Sequence, residues 1–235
     1  MSAIVFENVV KRFGNVNVLD GISFSVEKGE IFSIVGRSGT GKSVTLKHIV
    51  GLLAPDSGTV SVQSERIGYL FQGGALMAWM TVAENVALPL VETTSLSKEE
   101  IDARVAAALE AVGLSDSGDK YPSEISGGMQ KRAGLARSIV READIVLYDE
   151  PTSGLDPVTS ASINRLIARL RRERGVTSVV VTHDLAAALS MSDRVMLIKD
   201  GRVIECSAPS RFEKSSNPVV QEFLAAAKGV CHEQE

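Results

Sequence analysis

The sequence predicts an α/β fold, a mainly parallel sheet covered by helices, with a helical segment inserted into it. Three observations carry this. Short apolar runs at residues 30–35, 145–148 and 176–182 alternate with helix-periodic stretches, the pattern of strands buried on both faces. The stretch from Gly73 to Arg141 breaks that alternation with helical periodicity and few β-branched runs. Finally, 235 residues with 44% apolar and 23% charged side chains have an ordinary globular balance, which excludes disordered and fibrous classes.

The elements follow in order. Residues 1–35 read as strands, because Ile4 and Phe6, then Ile22, Phe24 and Val26, alternate with more polar neighbours. Lys28-Gly29 is a turn. A glycine-rich stretch after Val35 leads into a helix over 43–53, closed by Pro55 and Gly58. The clearest helix of the insertion starts at Ser97, an N-cap with Glu100 three residues on, the capping-box spacing. Ile101, Val105, Ala108, Leu109 and Val112 share one face of it, and Gly113 stops it. A further helix is predicted over 129–141. Strands at 145–148 and 176–182 then flank a helix over 157–172. A short helix over 184–190 precedes a hairpin over 195–206, turning at Lys199-Asp200-Gly201. The tail from Ser207 ends in a short helix over 219–227.

Charge and cysteine content narrow the function. With 25 basic and 29 acidic residues the net charge is −4, the wrong sign for a chain whose main work is holding a polyanion, so no nucleic-acid partner is expected. Cys206 and Cys231 cannot build a disulfide framework and are expected to be reduced thiols. No apolar run approaches the roughly 20 residues that span a bilayer. The opening MSAIVFENVV lacks the basic and apolar regions of a signal peptide. The expectation is a soluble, cytoplasmic chain that meets a membrane only through a partner.

Gly36-Arg37-Ser38-Gly39-Thr40-Gly41-Lys42-Ser43 fits G-x-x-x-x-G-K-[ST], the P-loop, between a buried strand and a helix. Its glycines let the backbone wrap a phosphate with several N–H groups turned inward, and the helix N-terminus adds its dipole. Lys42 is expected to reach the β- and γ-phosphates and Ser43 to bind Mg²⁺. Asp149 closes an apolar run, so it emerges at a strand's carboxyl end, where α/β sheets bind ligands. Beside a P-loop, Asp149 reads as the Mg²⁺ residue and Glu150 as general base for an attacking water. His183 lies past another strand's carboxyl end and reads as a γ-phosphate contact; a half-buried structural histidine is the alternative.

Taken together, the motifs from Phe13 to His183 resemble the nucleotide-binding subunit of an ABC transporter. Gln72, in Leu70-Phe71-Gln72, lies at the family's Q-loop. Ser126-Gly127-Gly128-Met129-Gln130 resembles the ABC signature, and Ser153-Gly154-Leu155-Asp156 the D-loop. His183 matches the switch histidine. Phe13 matches the aromatic that stacks on adenine, with a core phenylalanine as the alternative.

The resemblance implies a RecA-like core with an N-terminal antiparallel β subdomain (residues 1–72 and 142–206), an inserted helical subdomain (73–141) and a tail (207–235). It implies an ATPase using ATP and Mg²⁺, with Gln72 serving both metal and catalysis. It also implies a homodimer, with ATP held between one P-loop and the other subunit's Ser126, Gly127, Gly128 and Met129, and with Asp156 coupling the two sites. Separate membrane permease subunits are the implied partners, placing the chain at the inner face of the cell membrane. Gly73-Gly74 after Gln72 reads as a hinge for that residue, or as an ordinary loop. Two departures stand out. Met129 replaces the family's glutamine, and the stretch between Val60 and Ile67 is short, which predicts a trimmed edge strand or loop.

Residues 70–76 and 85–90, with Met129 after Ser-Gly-Gly, look like the ATPases of lipid-transporting systems of the Mla and chloroplast type. The permeases of those systems work with MCE-domain lipid-binding proteins. Ala78-Trp79-Met80-Thr81 is instead similar to the ATPases of small-anion and sulfonate importers. Met77, Trp79 and Met80 fall where the family's permease docks; packing of the insertion's own core is the alternative. Soluble ABC-type ATPases of DNA repair or translation usually carry two nucleotide domains, coiled coils or basic faces, and none is seen here. The basic run Arg169, Arg171, Arg172 and Arg174 reads as a solvated helix end favoured by the dipole.

Overall fold

The computed structural model describes residues 1–227, so Cys231 and His232 lie outside the described residues. The chain forms two compact units, Met1–Gln63 with the chain from Thr177 onward, and Ser64–Val176.

The first unit begins with β1 (Ser2–Phe13) and β2 (Val16–Glu27), then β3 (Ile31–Val35), α1 (Lys42–Ile49) and β4 (Ser57–Val62). The second holds β5 (Ile67–Leu70), α2 (Val82–Thr93), α3 (Lys98–Val112), α4 (Gly127–Ile139), β6 (Ile145–Asp149) and α5 (Pro157–Arg174). The chain then returns to the first unit with β7 (Thr177–Thr182), α6 (Leu185–Met191), β8 (Arg194–Lys199) and β9 (Arg202–Ser207). It ends in α7 (Pro209–Phe212) and α8 (Pro218–Ala227).

In the first unit, β1 pairs antiparallel with β2 on one side and β4 on the other. The alternation read from the sequence is the core face of this sheet: Ile4, Phe6, Ile22, Phe24 and Val26 are all buried. Phe6 stacks on Phe24 at 4.5 Å and Phe24 on Phe32 at 5.5 Å, which ties the antiparallel sheet to β3. β4 is one of the two outer strands of this sheet, with only residues 63–66 before β5. β3 lies parallel to both β7 and β8. β3 and β7 have every residue buried, on both faces, and this is why both read as continuous apolar runs. β9 adds an antiparallel edge to β8. Leu185, Ala188, Phe212, Val220 and Leu224 from α6, α7 and α8 close one core over Val35 and Leu197.

In the second unit, β5 and β6 run parallel. Helix α4 lies against β5 so closely that a Cβ at Gly68 would stand 2.0 Å from the Ser138 carbonyl oxygen. The expected capping box at Ser97 and Glu100 opens α3, and an equivalent box at Thr81 and Glu84 opens α2. Val105, Ala108, Leu109 and Val112 are buried, and Gly113 ends the helix with φ 70.

Some boundaries differ from expectation, each for a local reason. α1 ends at Ile49 rather than Leu53, because the chain turns at Gly51 and leaves Leu52 exposed. α4 begins at Gly127 rather than Met129, since the Ser126 hydroxyl accepts from the Met129 N–H and caps the helix there. α5 runs on to Arg174 before Gly175 closes it. No helix among the described residues is long and apolar enough to cross a membrane.

Candidate functional site

The P-loop joins β3 to α1 in the first unit, as predicted. A Cβ on Gly36 would come within 2.4 Å of the Ile198 carbonyl oxygen, and Gly41 holds φ 98 at the N-cap of α1. Only glycine fits both places, and the two together set the curve of the loop. Lys42 is buried, and its ammonium folds across the loop to donate to the carbonyls of Gly36 (2.8 Å) and Arg37 (2.9 Å). Thr40 closes the loop from the other side with a hydrogen bond to Arg37 O (2.9 Å). Ser43 sits half-buried in the first turn of α1, which carries no acidic side chain. A helix N-terminus without a carboxylate, fronted by a lysine, is built for an anion.

A cleft of about 490 Å³ runs beside this loop, lined by Arg37, Ser38, Gly39 and Thr40 with Val18 and Phe223. Phe13 is not part of its lining. It ends β1, is 49% exposed and has Lys11 Nζ at 5.8 Å from its ring centroid, so it is no core residue. His183, also exposed, sits between the end of β7 and Asp184, whose side chain caps α6 by accepting from Ala187 N (2.9 Å). Its place is therefore fixed by a strand end and a helix cap rather than by burial.

The second unit carries the acidic and signature residues. β6 is buried throughout and delivers Asp149 at its end, where the Tyr69 hydroxyl donates to Asp149 Oδ2 at 3.2 Å. Burial, and next the Asp149 charge, push the Tyr69 hydroxyl well above the ordinary tyrosine range, so it stays a proton donor to that carboxylate. Glu150 follows in the left-handed region at φ 50. Ser126 and Gly127 are exposed at the start of α4, while Gly128 packs within 2.6 Å of Thr159 for any added Cβ. The first turn of α4 also lacks acidic residues, giving a second helix start suited to an anion. Met129 is half-buried behind it. Asp156 has a local task, capping α5 by accepting from Val158 N (2.9 Å) and Thr159 N (3.0 Å).

Gln72 is exposed after β5. The two glycines behind it are not alike. Gly73 stands in open space, whereas Gly74 is buried at φ 76 with its carbonyl held by Arg137 at 2.7 Å. Only Gly73 has the freedom of a hinge. Trp79 is 76% exposed and Met77 and Met80 are half-buried, so Trp79 does not pack the helical core.

Sequence reasoning missed Lys131, Asn85, Arg137 and Tyr69. Lys131, 6% exposed, donates from Nζ to the carbonyls of both Gln72 and Glu150. The signal was present: Lys131 stands three residues after Gly128 and four before Leu135, on the buried face of α4.

Of the residues read as cation ligands, Ser43 in the first unit offers a hydroxyl, and Gln72 and Asp149 in the second offer an amide and a carboxylate, all oxygen donors. Among the described residues no group of three or more His, Cys, Asp or Glu side chains could hold a metal. Oxygen donors of this kind suit an ion that takes few protein ligands and keeps water and phosphate oxygens, which is the habit of Mg²⁺.

Comparison with known proteins shows the family. The ABC transporter family profile matches residues 19–153. The intermembrane phospholipid transport system ATP-binding protein MlaF of Escherichia coli K12 is 38% identical over 226 residues, covering 90% of this chain and 84% of MlaF. The methionine import ATP-binding protein MetN of Carboxydothermus hydrogenoformans is 39% identical over 225 residues, covering 89% of this chain and 66% of MetN. The dimeric ATP-binding cassette MJ0796, solved in a post-hydrolysis state with ADP and Pi, matches with TM-score 0.80 and 32% identity, over 88% of this chain and 98% of that one. An antiparallel N-terminal sheet, a mainly parallel sheet, a P-loop and a capped Ser-Gly-Gly helix thus occur together in one chain, and that chain belongs to the ABC transporter family as an ATP-binding cassette and ATPase.

Proposed function

We propose that this cassette powers phospholipid transport through a separate membrane permease. The observation that carries the reading is Met129 directly after Ser126-Gly127-Gly128, together with residues 70–76 and 85–90, a combination similar to lipid-transport ATPases. MlaF, at 38% identity, supports it. Methionine import is the second reading, supported by MetN at 39%. The cassette works as a homodimer, peripheral at the inner face of the cell membrane, with an MCE-type lipid-binding protein as the further partner. The exposed Trp79 supports permease docking at that loop.

In the proposed reaction, the P-loop backbone from Gly36 to Gly41 cradles the phosphates of ATP and Lys42 spans its β- and γ-phosphates. Arg37, Ser38, Gly39 and Thr40 line the loop, and Phe13 meets the adenine. Ser43, Gln72 and Asp149 would hold Mg²⁺, which would neutralise phosphate charge. Glu150 accepts a proton from water as its oxygen bonds to the γ-phosphorus and the bond to ADP breaks. His183 contacts the γ-phosphate. The partner subunit's signature helix start, at Ser126, Gly127, Gly128 and Met129, completes each site, and Asp156 couples the two.

The test uses the Glu150→Gln variant, tagged and captured with ATP from detergent-solubilised native membranes. Mass spectrometry of co-purifying proteins and lipids should find a polytopic permease, an MCE protein and phospholipid. A permease with a solute-binding protein and no lipid overturns the lipid reading. Recovery of ribosomal or DNA-associated proteins without any membrane protein overturns the transport reading.

A further inference from the structure

Lys131 is the one strongly buried lysine of α4, and its surroundings in the second unit are unusual for a cation. Its ammonium is bonded to backbone carbonyls of two segments that the proposed reaction uses: Gln72 and, at 3.2 Å, Glu150. Its reach depends on small residues along the same helix. A Cβ on Gly134 would stand 3.1 Å from the Gly74 carbonyl, so α4 approaches the Gln72 loop as closely as backbone permits. Burial lowers the Lys131 pKa, while the nearby charges of Glu150 and Asp149 act to raise it.

The Glu150 end of the contact matters most. Glu150 occupies the left-handed backbone region at φ 50, which a side-chain-bearing residue adopts only at a cost. Its carbonyl accepts from Ser153 N–H at 3.2 Å and from Lys131 Nζ. Those two bonds hold the peptide in the conformation that sets the direction of the Glu150 Cα–Cβ bond. Relaxation of that backbone would swing the carboxylate away from its present line. A tie that served packing alone would be made more cheaply by an apolar side chain, since a buried ammonium carries a large desolvation penalty.

We propose that Lys131 is a positioning residue for hydrolysis: it pins the strained Glu150 peptide and links it to the Gln72 loop, so that both are set by one helix. The inference rests on Glu150 being the hydrolytic carboxylate.

The experiment measures steady-state ATPase kinetics, nucleotide affinity and thermal unfolding of the full chain for Lys131→Met, Lys131→Arg and Glu150→Gln. Misplacement of a reacting group by about 1 Å costs on the order of 100-fold in rate. Lys131→Met should therefore lower kcat by about 100-fold, with KM and ATP affinity within about twofold of wild type. Lys131→Arg, of similar reach and with several donors, should recover most of the rate. If Lys131→Met does not fold, Lys131→Gln replaces it. Its amide is one bond shorter and cannot reach both carbonyls, so kcat should fall about tenfold at unchanged KM. Wild-type kcat in either variant, with Glu150→Gln inactive, overturns the proposal alone. Loss of stability with unchanged kcat per folded molecule overturns it too, by making Lys131 merely structural. Wild-type hydrolysis in Glu150→Gln instead overturns the general-base reading on which the proposal stands.

Discussion

Asn85→Ala should unfasten the loop that carries Trp79. Asn85 is fully buried at the start of α2, and its side chain makes four hydrogen bonds. The carbonyl oxygen accepts from Met77 N (2.7 Å), while the amide donates to Met77 O (3.1 Å), Met80 O (3.1 Å) and Thr81 O (2.9 Å). Not all four are lost equally. Met77 O also accepts from Met80 N (3.2 Å), and Thr81 O from the backbone N–H of residue 85 (2.9 Å). The groups that depend on the side chain are therefore the Met77 N–H and the Met80 carbonyl. A buried group left without its partner costs about 1–3 kcal/mol. Met77 and Met80 are half-buried, so water recovers part of this. The sum is a destabilisation of about 3 kcal/mol.

Trp79 is the only tryptophan in the chain and lies in the second unit, so its fluorescence during urea unfolding reads the unit concerned. Its anisotropy before the transition should also fall as the loop loosens. Asn85→Asp provides the control: it keeps the acceptor for Met77 N–H but aims a carboxylate at three carbonyl oxygens. It should cost at least as much at neutral pH, and less as acidification returns a donor. A loss below about 1 kcal/mol for Asn85→Ala, with unchanged anisotropy, would refute the reasoning.

Three further predictions follow from the same kind of accounting. Arg194 grips the buried Glu30 carboxylate with both arms, Nε at 2.6 Å and Nη2 at 2.9 Å, and lies over Phe32; Arg194→Ala should cost about 3–5 kcal/mol in chemical denaturation, and Arg194→Lys should restore only part. Asp156→Ala should remove the cap of α5 and lower the thermal midpoint, whereas Asp156→Asn should be nearly neutral at pH 7. Hydrogen bonding to Thr159 holds the Asp156 carboxyl below its ordinary 3.8, so the cap's charged contribution is complete above that pH and is lost as pH falls through the depressed value; a difference between wild type and Asp156→Asn that grows above pH 5 would contradict this. Finally, Gly73→Ala should be tolerated in stability, while Gly74→Ala should cost about 1–2 kcal/mol, since Gly74 has φ 76 and a Cβ there would stand 3.2 Å from Gln130 O. Equal thermal shifts for the two would mean that the glycines share one role.

Much of the fold was legible because its signals are local or periodic. The capping box at Ser97 and Glu100, the alternation through Phe6 and Phe24, and the apolar runs of β3, β6 and β7 are each written in adjacent residues. The P-loop was legible for the same reason, being one contiguous motif between a strand and a helix. The parts that escaped depend on distant segments meeting. The bonds of Lys131 to Gln72 and Glu150 exist only because the chain folds back on α4, and those of Asn85 only because the loop before α2 closes on its amide. The Gly73-Gly74 pair looked symmetric because the sequence does not show Arg137 reaching back across α4 to residues 74 and 75. Asp156 shows the opposite case, a residue noticed for a motif whose carboxylate also caps a helix.

The measurement closest to the centre of the account is the mass of Glu150→Gln in solution, by light scattering, with and without Mg²⁺ and ATP, followed by assay of the bound nucleotide. The expected result is a dimer that forms only with ATP and retains it unhydrolysed. A variant that stays monomeric in saturating ATP, or that hydrolyses ATP at the wild-type rate, would contradict it.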